Sequence, residues 1–156
     1  MEFLSLITIG DGRFPNVEKF IEALEKENNR LTTWARQIFE QDFQLSTKKI
    51  EFRLAQKSIA EIGFPEGAAF QQIQGGIERK LCPAKVAGEV ALKLRLWYKE
   101  QPNGETLFLA MEPIGDFSGK PQIFCIKCDA GQRWLTIENA DPERIFLPSD
   151  IFILFR

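Results

Sequence analysis

From Val90 to Lys99 the apolar residues Val90, Leu92, Leu94, Leu96 and Tyr98 alternate with Ala91, Lys93, Arg95, Trp97 and Lys99. A period of two is what a strand with one buried face requires, because successive side chains point to opposite sides of a sheet. Gln101-Pro102-Asn103-Gly104 then supplies turn residues, and Thr106 to Met111 is a second apolar run. The stretch Glu89 to Pro113 therefore predicts a β-hairpin from which a sheet is built. Its register is open. A two-residue turn pairs Arg95 with Glu112 and matches charge, whereas a Pro-Asn-Gly loop with a glycine bulge pairs Tyr98 with Phe108 and suits the turn residues.

The segments on either side are read by the same periodicities. Phe3 to Ile9 is nearly continuous apolar sequence followed by Gly10-Asp11-Gly12, which predicts a short buried strand. Asn16 is a good helix N-cap, and Val17, Phe20, Ile21 and Leu24 follow at helical spacing. Leu31, Trp34, Ala35, Ile38 and Phe39 resume that stripe as a second helix. Residues 46–62 read as a third helix ending at Gly63, although Ile50 to Leu54 also alternate strictly and fit a strand over 49–55. Val17, Leu24, Leu31, Ile38, Leu45, Phe52 and Ile59 are spaced by seven, but the companion heptad positions are polar, so separate helices are expected rather than a coiled coil.

Residues 64–87, broken by prolines and Gly75-Gly76, read as a connector with one helical turn around Ala68 to Ile73. Gln122 to Lys127 and Arg133 to Glu138 read as strands joined by a turn at Asp129 to Gln132. Ile151 to Phe155 closes as a strand buried on both faces or paired with a partner. The expectation is a single α+β domain over residues 1–156: an N-terminal strand and two or three helices packed on a C-terminal twisted antiparallel sheet of four or five strands.

Composition narrows what such a domain does. Fourteen Phe beside one Tyr place most aromatic surface inside, in a core or an apolar cavity. The formal charge of −2 argues against a surface coated in basic residues for nucleic acid or anionic membrane, although a local patch is compatible with it. The start of the chain has no basic residue ahead of its apolar run and no small-residue cleavage site, no stretch approaches the roughly 18 apolar residues of a membrane span, and the Cys count is odd. A reducing, cytoplasmic setting is the expectation.

The absence of His removes Ser-His and Cys-His nucleophile pairs and imidazole metal ligands. Paired carboxylates remain available for catalysis, but nothing in the sequence indicates which two converge. Cys125-Ile126-Lys127-Cys128 has knuckle spacing but lacks a fourth Cys, and a strand sends the two thiols to opposite faces, so no metal is assigned. Gly10-Asp11-Gly12 and Gly75-Gly76 match no phosphate-binding fingerprint, so no cofactor is assigned either.

The sharpest candidate for chemistry is the row Lys93, Arg95, Trp97 and Lys99. On an exposed sheet face, cations beside an aromatic ring hold single-stranded nucleic acid by tracking phosphates and stacking a base. Solvated charge on an amphipathic strand is the plainer reading of the same row. Trp34 and Trp134 read as core or pocket aromatics. The leading expectation is a non-enzymatic binding or protein-interaction module, self-associating through the C-terminal strand or a helical face. The alternatives are a single-stranded nucleic-acid binder using Lys93, Arg95, Trp97 and Lys99, and a small-ligand carrier or carboxylate enzyme with a Phe-lined pocket.

Overall fold

The segment whose alternation predicts the central strand is a helix. The computed structural model describes residues 2–41, 43–77 and 81–155, with only the backbone of residues 2–5. Its elements in chain order are β1 (Glu2–Ile9), α1 (Val17–Lys26), β2 (Asn29–Leu31), α2 (Thr33–Phe39), β3 (Ile50–Ser58), α3 (Ile59–Ile62), β4 (Ala68–Ala69), α4 (Phe70–Gly76), α5 (Ala84–Trp97), β5 (Thr106–Leu109), β6 (Ile114–Gly115), β7 (Pro121–Asp129), β8 (Gln132–Asn139), β9 (Ile145–Phe146) and β10 (Ile151–Phe155).

Two physical reasons make 84–97 a helix. Its Ala, Leu, Lys, Arg and Glu residues are strong helix formers, and only Val86 and Val90 are β-branched. Ala91 is also apolar, so what alternates as strand text equally supplies a helix buried around most of its circumference. Ala87, Gly88, Glu89, Val90, Ala91, Leu92, Leu94 and Arg95 are all buried. With no strand before the turn, neither predicted hairpin register forms; β5 pairs antiparallel with β7, setting Phe108 opposite Cys125.

The main sheet corrects the expected four or five antiparallel strands. Its order is β1-β3-β10-β5-β7-β8-β2, with β6 paired to β7, and the seven ordered strands curl into a half-barrel. Pairing is mixed: β10 with β5 and β2 with β8 run parallel, and the other ladders are antiparallel. Five helices accompany it among the described residues, not two or three. The curl follows from α5, which packs on β1 at one edge of the sheet and on β7 and β8 toward the other. A single helix reaches strands that far apart only if the sheet wraps around it.

Within 46–62 the alternation of Ile50 to Leu54 decides in favour of β3, and helix is confined to α3. The connector 64–87 carries β4 and α4, while Glu78, Arg79 and Lys80 lie outside the described residues. β10 is an internal strand, flanked by β3 and β5, so its edges are occupied by its own sheet.

The phenylalanines divide between the two faces of the sheet. On the α5 side the Phe124 ring stacks on Phe39 at 5.1 Å between centroids, and Phe39 meets Phe43 edge-on at 4.9 Å. Phe108 is opposite Cys125, the neighbour of Phe124, and so faces the other way. There it stacks on Phe152 at 5.5 Å and meets Phe146 edge-on at 5.2 Å. Ring against ring, these clusters are filled core, and the grooves found among the described residues open at the surface.

Candidate interaction groove

Helical geometry regroups the four residues singled out by the strand pattern. Lys93 and Trp97 are four apart and share one face of α5, whereas Arg95, two residues from each, lies about 200° round the helix. Lys93, Trp97 and Lys99 line a groove of about 360 Å³ together with Leu6, Ile7, Thr8, Arg13, Glu27 and Leu96. Arg95 is buried on the opposite side.

Each cation in the groove is already engaged. Lys93 forms a close ion pair with Asp11, and Lys99 Nζ lies 3.1 Å from Glu27 Oε2. The Lys93 ammonium, donating to Asp11, is the main cause holding that carboxyl below its ordinary range. The Arg13 guanidinium sits 5.3 Å from the centroid of the Phe14 ring. Between these charges lie two large apolar side chains in water, Leu6 at 56% exposure and Trp97 at 50%.

Arg133 on β8 fixes one end of the groove. Its Nη1 donates to Lys99 O at 3.0 Å, its Nη2 donates to Glu27 O, and its Nε donates to Asn29 Oδ1 at 3.0 Å. One guanidinium thereby ties the end of α1 to the end of α5 and sets the Lys99–Glu27 pair. The other end is set by Glu89, whose Oε2 accepts from Gly10 N at 2.9 Å and whose Oε1 accepts from Ser46 N at 2.7 Å. Gly10 is positioned for this at φ +70°, where a methyl group would sit 1.9 Å from Lys48 O.

The alternation marks Lys93, Trp97 and Lys99 in the sequence, and nothing in it marks Leu6, Arg13 or Glu27. They come from β1, the turn after it and the C-cap of α1, and no local pattern links those segments.

Of the two expectations for Trp34, core or pocket, the second holds: it lines a shallow surface groove with Phe117, Lys120 and Ile137. It stands on the first turn of α2 at 54% exposure, because Ala35, Ile38 and Phe39 take the buried side of that helix. Its ring stacks on that of Phe117 at 5.6 Å with 4° between planes. Trp134 is half-buried, and its carbonyl accepts from Arg95 at 3.3 Å.

Two buried charged side chains hold the fold, although Arg95 Nε itself has no hydrogen-bond partner among the described residues. Arg95 and Glu89 are engaged by backbone and amide partners. The three cysteines are free thiols in the interior; burial pushes Cys82 up to about 12 and raises Cys125 as well. Among the described residues, no group of three or more Cys, Asp or Glu is gathered to hold a metal ion, and no helix is long and apolar enough to cross a membrane. No protein-family model, curated protein or solved structure matches this chain.

Proposed function

We propose that this chain is a non-enzymatic protein-interaction module whose binding face is the groove between β1 and α5. The observation that carries the reading is the convergence of half-exposed Leu6 and Trp97 in one groove rimmed by Arg13, Lys93, Lys99 and Glu27. Large apolar side chains held together in water mark an interaction surface, and Trp is among the side chains most often found at binding hot spots. The rim charges add orientation and association rate more than affinity.

The ion pairs favour a protein surface over a phosphate backbone. A phosphate reaching Lys93 or Lys99 displaces Asp11 or Glu27, whereas a mixed-charge protein surface accommodates the pairs as they stand. Single-stranded nucleic acid is the second reading because Trp97 is exposed beside three cations. It rests on Lys93, Trp97, Lys99 and Arg13, without the buried Arg95.

The test is affinity isolation of a partner followed by direct titration. Trp97→Ala is expected to weaken binding at least about tenfold, the loss of roughly 1.4 kcal/mol. Binding unchanged by both Trp97→Ala and Leu6→Lys in folded protein rejects the groove. Quenching of Trp97 fluorescence by an oligo(dT) probe, steep in salt and absent from Trp97→Phe, shifts the assignment to nucleic acid.

A further inference from the structure

A second surface groove, of about 340 Å³, shares no lining residue with the one between β1 and α5. Its aromatic walls are Trp34 of α2 and Phe117 in the loop between β6 and β7. The two rings are stacked nearly parallel, and both remain exposed to water. Phe117 is not exposed for want of a fixed loop. Asp116 Oδ1 accepts from Ser118 N at 2.9 Å, from Ser118 Oγ at 2.6 Å and from Lys120 N at 3.0 Å, while Oδ2 accepts from Gln122 Nε2 at 3.1 Å. The Ser118 hydroxyl is the main cause holding the Asp116 carboxyl below its ordinary range. Asp116 N also donates to Lys120 O at 2.9 Å, which closes the loop. An aromatic surface held in place beforehand loses little freedom on binding.

We infer that this groove binds a nucleoside monophosphate, with the base stacked on the Trp34–Phe117 pair and the phosphate held by Lys120. The site is separate from the interaction face between β1 and α5 and does not depend on it.

The groups that the protein leaves unused in this groove define the ligand. Exposed aromatic rings are covered well by another flat ring, and a base stacks on them whatever its identity. The Lys120 ammonium has no ion pair or hydrogen bond among the described residues, so it is open to one anionic group. Asp116 is the carboxylate lining the groove, and its oxygens are already held by four donors. Gln122 donates to Asp116 through Nε2, which leaves Oε1 to accept from the exocyclic amine of a base. A planar ring, an amine and one anionic group occur together in a nucleotide. A single lysine suits one phosphate, whereas a strand requires cations along its backbone. The volume agrees, lying at the small end of the about 300–1,000 Å³ usual for ligand pockets.

Titration of the full chain with AMP, followed through the indole N–H resonance of Trp34, tests the proposal. Trp34→Phe identifies that resonance among the three tryptophans. Saturable binding is expected, and Trp34→Ala is expected to weaken it at least about tenfold by calorimetry. Lys120→Gln is expected to remove the advantage of AMP over adenosine. Both positions are exposed, and circular dichroism confirms that each variant is folded. No saturable response to millimolar AMP overturns the proposal, as does binding indifferent to Trp34→Ala, or adenosine bound as tightly as AMP by the unmodified protein. Oligo(dA) bound through Trp34 more tightly than AMP, with a steep dependence on salt, overturns it in favour of a strand.

Discussion

Arg95 donates from Nη1 to Gln101 Oε1 at 2.5 Å in a site where both side chains are buried. The same guanidinium donates to Tyr98 O at 2.6 Å and to the carbonyls of Lys127 and Trp134 at 3.3 Å each. It therefore fastens the C-terminus of α5, and the loop after it, to β7 and β8. No carboxylate accepts from it among the described residues. Burial, with the nearby charge of Arg133 second, pushes Arg95 down to about 10 from its ordinary 12.5.

Replacing Arg95 with Met is expected to cost about 2–4 kcal/mol, because several acceptors are left buried without a donor. Arg95→Lys is expected to be nearly as damaging, since an ammonium does not span Gln101 Oε1 and Tyr98 O as the planar fork does. Urea denaturation measures both. The pH dependence has a definite sign. Between the folded value of about 10 and the unfolded 12.5 the unfolded chain binds the extra proton, so Arg95 adds stability as pH rises through that window. Below about 10 its contribution is constant.

Gly88 lies within α5, where Gly→Ala ordinarily stabilises by about 1 kcal/mol. Here the sign is expected to reverse. A methyl group at residue 88 would sit 2.4 Å from Cζ of Phe43 and 3.3 Å from Cε2 of Phe124, both aromatic rings of the packed cluster beneath the helix. Overpacking of that kind costs about 1–3 kcal/mol, so Gly88→Ala is expected to lower the midpoint of thermal or urea unfolding. A raised midpoint contradicts the packing described for α5.

These residues also show where the sequence was legible. α1 was readable from its helical period and its Asn16 cap, and β7, β8 and β10 from short apolar, β-branched runs bounded by turn residues. Residues 84–97 were not, because nearly every side of α5 is buried and a helix with little polar face has no clean period of its own. The alternating Lys93, Arg95 and Trp97 resemble a strand face, yet Arg95 is buried for its hydrogen bonds and not for its hydrophobicity. The mixed topology was illegible for another reason: parallel pairing of β10 with β5 joins segments with no turn between them. Of the groove, only the part carried by α5 and the residues just after it was visible locally.

The Asp11–Lys93 pair offers a pH test within the groove. Lys93 chiefly lowers the Asp11 carboxyl, so the folded value is the depressed one. The pair therefore contributes fully above the ordinary Asp range of about 4 and is lost as pH falls through the lowered folded value. Asp11→Asn is expected to cost up to about 1 kcal/mol at neutral pH, and the gap from wild type is expected to close in acid. Denaturation curves at the two pH values check this, and a carboxyl-detected NMR titration locates Asp11 directly.

The thiols report on the integrity of the core. Thiolate is the reacting form, and burial raises Cys82 to about 12 and lifts Cys125 too. Native protein at mildly alkaline pH is expected to react with a disulfide reagent far more slowly than protein in denaturant. Rapid labelling of Cys125 in the native state would place it outside the interior described here.

Glu89 connects the fold to the groove most directly. It lies on α5 but spends its carboxylate on the backbone N–H groups of Gly10 and Ser46, holding the turn that carries Asp11 and Arg13 against the helix that carries Lys93 and Trp97. Gln at residue 89 keeps the shape but offers one carbonyl oxygen for two donors, leaving an amide NH2 facing an N–H. The expected loss of stability is about 1–3 kcal/mol. Because the turn is freed on only one side of the groove, a second consequence follows. Binding through Trp97 is expected to weaken in Glu89→Gln even though residue 89 does not line the groove. A variant as stable as wild type, with undiminished Trp97-dependent binding, would show that the turn holds its position without Glu89.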